Sequence, residues 1–280
     1  MNETEKEQIH AKVRQGYANI ALGAAQSCCG SGQGCYSTAR ASDLAATLGY
    51  SKDALNALPE GINMGLSCGN PLALASLKEG ENVLDLGSGG GFDAFQAGPR
   101  VGKSGRVIGV DMTAEMLHKA RNACAWYREH TGLDNVEFRL GEIEHLPVAD
   151  GTIDVVLSNC VLNLSPDKGQ VWKEIFRVLR PGGRVSISDL ALLEELPEGV
   201  ADSVAGLVGC ISGAILLKET EDILKRCGFV HIHSDKHTDY IVAMESDGDP
   251  LYAAIQRALP EGKRLSDFVV SAVISAQKPV

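Results

Sequence analysis

The chain has 280 residues and a mass of 29.7 kDa, enough for one large domain or one domain with an appendage. Its 26 Lys and Arg residues against 36 Asp and Glu residues give a formal charge of −10, which disfavours nonspecific binding to DNA or an anionic membrane. The polar N-terminus lacks the apolar core of a secretory signal, and no apolar run reaches the ~20 residues that cross a bilayer. We therefore expect a cytoplasmic protein with no transmembrane helix, no membrane partner and no nucleic-acid partner.

The first 62 residues are predicted to form a helical segment that contains a cysteine-bearing loop. Apolar residues recur three to four positions apart up to Ile20, so a helix reaching about Gln26 should pack this face on another element. The Gly- and Ser-rich stretch 27–34 predicts a loop that ends at Cys35. Two further helices are predicted, over 42–48 and 71–77.

From Asn82 to Leu190, short apolar runs alternate with helix-length segments. The runs are NVLDL, RVIGVD, VEFRLG, IDVVLSN and RVSISDL. Such alternation is typical of βαβ units around a parallel sheet whose strands are buried on both faces. The sequence therefore predicts a doubly wound, mostly parallel α/β domain over 63–190.

The last ninety residues, 191–280, are predicted to form an α+β cap. Helices are expected over 203–217 and 219–227, and the runs GFVHIH, YIVAM and FVVSAVISA are β-like. Their strands would either form a small sheet of their own or extend the main one.

A glycine-rich loop follows the first predicted strand in the segment VLDLGSGGGFDAF. Gly87, Gly89 and Gly91 would let the backbone approach a ligand closely and aim helix N–H groups at it. The offset frame Gly89-x-Gly91-x-x-Ala94 also fits the looser dinucleotide pattern, so spacing alone does not exclude NAD. Asp111 ends the next strand, where a carboxylate can accept hydrogen bonds from a ribose diol.

The pattern D-x-G-x-G-x-G, the pair Asp111 and Met112, and the segment LRPGGRVSISD together resemble class I methyltransferases that use S-adenosylmethionine. The resemblance implies a Rossmann-like fold, with Asp85 near the methionine ammonium and the loop 141–144 beside the adenine. A hydride-transfer enzyme would instead need a polar acid/base pair on this sheet edge. The resemblance implies that the cofactor is bound by Asp85, Gly87, Gly89, Gly91, Asp111, Met112, Ile143 and Glu144. We add Asn159, because it ends the fourth strand at the edge where ligands of open α/β sheets bind.

The eight cysteines include no C-x-x-C pair, so neither a zinc ribbon nor a thioredoxin-type motif is indicated. Cys124 and Cys227 lie in predicted helices and are interpreted as core thiols. Cys160 follows the end of the fourth strand, on the edge where the reactive methyl group should lie, and Cys68 and Cys210 are flanked by glycine in separate segments. Three converging thiolates would bind a thiophilic ion such as trivalent arsenic, whose lone pair can attack a sulfonium methyl group.

The segments SNCVLNLSPDK, GCISGAI and SCGNP around the glycine loop resemble arsenite S-adenosylmethionine methyltransferases, over nearly the whole chain to about Phe229. The resemblance implies arsenic ligation by Cys68, Cys160 and Cys210, with arsenite or its thiol conjugates as substrate. Members of the family often carry an aromatic residue where this chain has Leu66. The tail after about Tyr240 matches only loosely.

The same resemblance assigns a role to an N-terminal thiol, which could be Cys28, Cys29 or Cys35. It implies that this thiol hands arsenic to the inner site and forms a transient disulfide with Cys68, later reduced by thioredoxin or glutathione. The sequence does not choose among the three.

Two other functions stay open at the level of the sequence. One is a small-molecule C- or O-methyltransferase acting on a quinone or sterol-like ring, for which Asp189 or His145 would be the acid/base residue. The other is a non-catalytic thiol sensor of arsenic or another soft metal on a methyltransferase scaffold. Nucleic-acid methylation is poorly supported, because the chain has no Asn-Pro-Pro-aromatic strand end and only 5% aromatic residues for base stacking.

Overall fold

The structure is a computed structural model that describes residues 1–23, 38–197, 211, 213–246, 256, 257 and 259–280. Its strands are β1 (Asn82–Leu86), β2 (Arg106–Asp111), β3 (Val136–Leu140), β4 (Ile153–Asn159), β5 (Leu179–Leu192), β6 (Val230–His237) and β7 (Val269–Gln277). Its helices are α1 (Glu3–Ala21), α2 (Thr38–Thr47), α3 (Lys52–Asn56), α4 (Pro71–Leu74), α5 (Phe92–Val101), α6 (Ala114–Thr131), α7 (Lys168–Val178), α8 (Leu217–Cys227) and α9 (Asp239–Ser246).

These strands form one sheet in the order β3-β2-β1-β4-β5-β7-β6. The first five pair in parallel, and β7 lies antiparallel between β5 and β6. This is the predicted doubly wound, mostly parallel arrangement. No helix among the described residues is long and apolar enough to span a membrane.

Two apolar cores flank the sheet, because its central strands are buried on both faces. One core contains Trp172 of α7 and Leu224 of α8, and the other contains Phe95 of α5 and Tyr127 of α6. Burying apolar surface contributes roughly 25 cal/mol per Å², so these two layers dominate the stability of the fold. They also hold the parallel strands in register, so that the carboxyl ends of these strands lie along one edge of the sheet.

The C-terminal strands extend the main sheet, which was one of the two arrangements left open by the sequence. β7 pairs with β5 along its length and β6 covers the other side of β7. The sheet therefore continues across position 190, and the boundaries at 62 and 190 stay predictions.

The prediction of a strand at YIVAM is wrong, because residues 240–244 lie in helix α9. A short apolar run fits a buried strand or a helix equally well. Here both edges of β7 are already paired, and Ile241 instead packs, fully buried, into a cluster beside Cys68 and Cys160. The helix predicted over 203–217 falls mostly outside the described residues.

Candidate active site

A cavity opens at the carboxyl ends of β1, β2 and β4, where the strand order reverses direction. Ligands of open α/β sheets bind at this switch point. We call it the cofactor cavity, and eight of the nine predicted cofactor residues line it: Asp85, Gly87, Gly89, Asp111, Met112, Ile143, Glu144 and Asn159.

The glycine loop follows β1 with a backbone that side chains would disturb. Gly87 has a φ of 61°, and a Cβ there would lie 2.3 Å from a methyl carbon of Val161. Gly91 caps α5 with a φ of 94°, and a Cβ there would lie 2.7 Å from the ring of Phe138. Gly91 does not line the cavity, and its lack of a side chain lets the loop pack on β3.

Asp111 connects the end of β2 to the glycine loop. One carboxylate oxygen accepts a hydrogen bond from the Gly89 N–H at 2.9 Å, and the other accepts from the Thr113 N–H at 2.8 Å. Burial raises the pKa of Asp111, and these hydrogen bonds oppose that rise. The fixed carboxylate on the cavity wall suits the hydroxyls of a ribose.

Asp85 is buried in the cavity wall with an unmet hydrogen-bonding requirement. Its Oδ2 has no hydrogen-bond partner among the described residues, and the neighbouring Ser88 Oγ has none either. Burial, reinforced by the charges of Asp93 and Asp111, raises the pKa of Asp85 well above its usual range. A cationic ligand group beside Asp85 would relieve this cost, which fits the ammonium of S-adenosylmethionine.

Helix α1 covers one side of the cofactor cavity. The sequence predicted this helix but not its position against the cavity. His10, Val13 and Tyr17 line the cavity, so the apolar face predicted for this helix packs on the ligand site itself. The His10 ring is buried, and its Nε2 lies 3.0 Å from Glu144 Oε1, which also accepts a hydrogen bond from the Ser165 hydroxyl.

Two ion pairs hold the outer side of α1 against the same loops. Lys6 Nζ lies 3.1 Å from a carboxylate oxygen of Asp167, and an Arg14 nitrogen lies 2.9 Å from Glu142 Oε1. Each pair joins residues more than 120 positions apart in sequence. No local pattern could have revealed them.

Asn159 ties the Cys68 loop to the end of β4. Its side-chain oxygen accepts a hydrogen bond from the Cys68 N–H at 3.1 Å. Its amide nitrogen lies 2.9 Å from the Gly69 carbonyl and 3.1 Å from both Tyr50 Oη and Asp93 Oδ2. The Tyr50 hydroxyl donates in turn to Asp93 at 2.7 Å, and burial raises the pKa of Asp93 to about 6. Sequence reasoning found Asn159 but missed Tyr50 and Asp93.

Cys68 and Cys160, 92 residues apart in sequence, are joined by a disulfide with a Cα–Cα distance of 5.9 Å. We call them the cysteine pair. The resemblance had implied that Cys68 pairs with an N-terminal thiol, so this pairing differs. It arises because Asn159 fixes the Cys68 backbone while the Cys160 N–H donates to the Ser188 carbonyl at 2.8 Å, placing the two Cα atoms within disulfide range.

Cys68 is fully buried, whereas Cys160 is 5% exposed and lines the cofactor cavity. Cys160 also has a φ of 57°, a left-handed conformation that is uncommon for a side-chain-bearing residue. Cys28, Cys29, Cys35 and Cys210 lie outside the described residues.

The remaining titratable candidates occupy different surroundings. Asp189 is buried beside the cysteine pair, outside the cofactor cavity, and burial raises its pKa to about 6. His145 is exposed and lies outside that cavity too. Cys124 and Cys227 are partly buried against the two cores, and burial raises the pKa of each thiol.

Comparison with known proteins gives a consistent result. A family model described as a methyltransferase domain matches residues 77–244. An arsenite methyltransferase from Halobacterium salinarum is 42% identical over 98% of this chain and 68% of its own length. The mouse arsenite methyltransferase is 32% identical over 80% of this chain, which spans 59% of that protein.

A solved structure agrees with these sequence relationships. The arsenic(III) S-adenosylmethionine methyltransferase from Chlamydomonas reinhardtii superposes with a TM-score of 0.62 at 29% identity, covering 85% of this chain and 73% of that one. The family model, the identity to arsenite methyltransferases and the shared fold agree with the cofactor cavity described above. The chain belongs to the arsenite methyltransferase family, class I methyltransferases that use S-adenosylmethionine.

Proposed function

We propose that this chain methylates trivalent arsenic bound to Cys68, Cys160 and Cys210, as a step in arsenic detoxification. The observation that carries the proposal is the position of the cysteine pair. Its two sulfurs lie together at the end of β4, and Cys160 faces the cavity that fits the cofactor. Thiolates select soft ions such as trivalent arsenic.

In the structure this site is oxidised, since Cys68 and Cys160 are joined by a disulfide. Two equivalents of a thiol, or one dithiol, reduce it to two cysteine thiols and are themselves oxidised to a disulfide. We propose thioredoxin or glutathione as the reductant and a cytoplasmic location, because free thiols persist in a reducing compartment.

Once reduced, the thiols exchange with the hydroxyl or thiol ligands of arsenite, and each proton leaves with the displaced ligand. S-adenosylmethionine supplies an electrophilic methyl group when it is bound. In this proposal Asp85 would hold its ammonium and Asp111 its ribose, and the backbone of Gly87 and Gly89 would allow it to approach closely. Arsenic carries its own lone pair, so the site needs no general base. Alignment of this kind contributes roughly 7–11 kcal/mol in well-oriented reactions.

The surroundings of the cysteine pair support a role for Cys210. Ile211, the next residue along the chain, is buried in the same apolar cluster as Cys68 and Cys160. The cluster also contains Leu190 and Ile241, and such a lining excludes the water that would compete for arsenic.

The test uses reduced protein titrated with arsenite by calorimetry, then supplied with S-adenosylmethionine and analysed for methylated arsenic by mass spectrometry. We expect Cys160→Ser and Cys210→Ser to lose methylation while keeping S-adenosylhomocysteine affinity. Cys124→Ser, a thiol on α6 away from the site, should behave as wild type. Full activity in Cys160→Ser would refute the proposal, and arsenite binding without product would favour the sensor.

A further inference from the structure

Asp189 has no role in the arsenic chemistry proposed above, yet it faces both sulfurs. The Cys68 Sγ, the Cys160 Sγ and a carboxylate oxygen of Asp189 all lie within 4.8 Å of one another, and all three residues are buried. Asp189 comes from β5, Cys160 from the end of β4 and Cys68 from the loop before α4, so the sheet and this loop bring the three together.

The Asp189 carboxylate is held in a fixed orientation. Its Oδ1 accepts hydrogen bonds from the Asn163 side-chain amide at 2.9 Å and the Leu190 N–H at 2.8 Å, and its Oδ2 accepts from the Asn163 N–H at 3.2 Å. The Leu162 backbone also donates toward this carboxylate, so a bound cation would replace that contact on one of the carboxylate's about four lone-pair positions. Lys168 is close enough for its charge to act on Asp189.

We propose that the reduced cysteine pair and Asp189 form a binding site for a divalent cation of intermediate softness, such as Zn²⁺ or Cd²⁺. Zn²⁺ is bound in proteins by cysteine sulfur and by aspartate oxygen, and thiolates select soft ions. The three ligands carry three negative charges, the cation two positive charges, and the Lys168 ammonium balances the remaining charge. The cation would occupy the sulfurs that the proposed function assigns to arsenic, and would therefore inhibit methylation.

The binding step is balanced without an oxidant once the disulfide has been reduced. A phosphine and one water convert the disulfide to two thiols and phosphine oxide. Each thiol then loses one proton when its sulfur bonds to the cation, so two protons appear in solution for each ion bound.

Arsenic and the divalent cation make different demands on Asp189. In the proposed function trivalent arsenic takes its third thiolate from Cys210, whereas the cation takes the Asp189 oxygen as its third ligand. Replacing the carboxylate with an amide of the same shape, Asp189→Asn, should therefore weaken the cation and spare arsenic. Cation binding is measured without methylation, so the cation site can be wrong while the proposed function is right, and the reverse. Only the predicted inhibition of methylation rests on the proposed function.

The experiment titrates Cd²⁺ into phosphine-reduced, desalted protein and follows the ultraviolet thiolate-to-cadmium charge-transfer band. We expect one equivalent to bind, and Asp189→Asn to weaken binding at least about tenfold, since even indirect partners of metal ligands are worth ~10–100-fold. Arsenite affinity of that variant should stay within about threefold. Cys160→Ser should lose the cadmium band, and Cys124→Ser should keep it. Unchanged cadmium affinity in Asp189→Asn, or an equal loss of arsenite, overturns the assignment.

A second measurement covers the case in which Asp189→Asn fails to fold. The ¹¹³Cd resonance of the wild-type protein moves downfield with each additional sulfur ligand. A resonance in the range of two sulfurs with oxygen supports the site, and one in the range of three or four sulfurs overturns it.

Discussion

Asp85 destabilises the unliganded protein but is suited to bind the ammonium of the cofactor. Its buried Oδ2 lacks a hydrogen-bond partner among the described residues, and the charges of Asp93 and Asp111 add to the burial that raises its pKa. Replacing Asp85 by Asn removes the buried carboxylate charge, and the same change removes the group that would bind the ammonium. We therefore expect Asp85→Asn to stabilise the unliganded protein by roughly 1–2 kcal/mol at neutral pH and to weaken S-adenosylmethionine binding at least about tenfold.

The pH dependence of that gain has a definite sign. A carboxyl whose pKa is raised by folding costs nothing below its unfolded pKa of about 4 and destabilises the folded state as the pH rises above it. The stabilisation by Asp85→Asn should therefore be larger at pH 7.5 than at pH 4.5 in denaturant titrations. Exposed Asp43→Asn is the matched control, and a gain that shrinks as pH rises would contradict the assignment.

Gly69 sets the distance between the Cys68 loop and β5. A Cβ at Gly69 would lie 2.7 Å from Ser188 Oγ and 2.8 Å from Ser188 Cβ. Overpacking of this kind costs typically about 1–3 kcal/mol, so Gly69→Ala should destabilise the protein and displace Cys68. In a double-mutant cycle measured by thermal unfolding, Ser188→Gly should recover much of the loss. Additive effects would show that the contact is not the cause.

Residues of the site differ in how far the sequence revealed them. Asp85 and Asp111 were predictable, because Asp85 lies on β1 just before the glycine loop and Asp111 ends the next strand. Asp93 and Tyr50 were missed, because their importance comes from one hydrogen-bond network around Asn159 that joins three segments. Long-range contacts of this kind leave no periodic or motif signal.

Helix α1 acts as part of the cofactor site rather than as a separate appendage. His10 bridges it to Glu144 on the cavity wall, and Val13 lines the same cavity. We expect His10→Ala to raise the dissociation constant of S-adenosylhomocysteine about tenfold, equivalent to ~1.4 kcal/mol. Arsenite affinity should be unchanged, because His10 lies against Glu142 and Glu144, which are not arsenic ligands in the proposed function.

Lys12→Ala is the control for that prediction, since Lys12 lies on the exposed side of the same helix. Calorimetric titration of both variants measures the affinity, and hydrogen exchange reports whether α1 loosens. Equal losses in the two variants would show that α1 acts only through its general stability.

Elements were predictable where the hydrophobic period was unambiguous. β1 to β5 follow the expected segments, because short apolar runs that alternate with helix-length segments are typical of a parallel sheet. The prediction of a strand at 240–244 was wrong, because a run of five apolar residues fits a strand and a helix equally well. Its state depends on β7 having both edges paired, which is a property of the whole sheet.

At the scale of the molecule, the fold places the cysteine pair between the cofactor cavity and the apolar cluster of the C-terminal elements. Cys160 lines the cavity, whereas Cys68 is fully buried and packs in the cluster with Phe268 and Val269. The sequence predicted convergence of Cys68 and Cys160 on this edge but not their bond. That bond depends on backbone placement by Asn159 and Ser188.

This placement predicts that a bound nucleoside shields the disulfide from reductants. A small thiol must reach one of the two sulfurs, and Cys160 is the member of the pair with exposed surface, on the cavity side. We expect saturating S-adenosylhomocysteine to slow reduction by glutathione at least about tenfold, because thiol–disulfide exchange depends on access to the attacked sulfur. Alkylation of the released thiols, quenched over time and counted by mass spectrometry, measures the rate. Asp111→Ala, which should bind the nucleoside weakly, should lose the protection. An equal rate with and without nucleoside in the wild type would mean that the reductant reaches Cys68 instead, through the surface pocket that it borders with Lys236 and Tyr240.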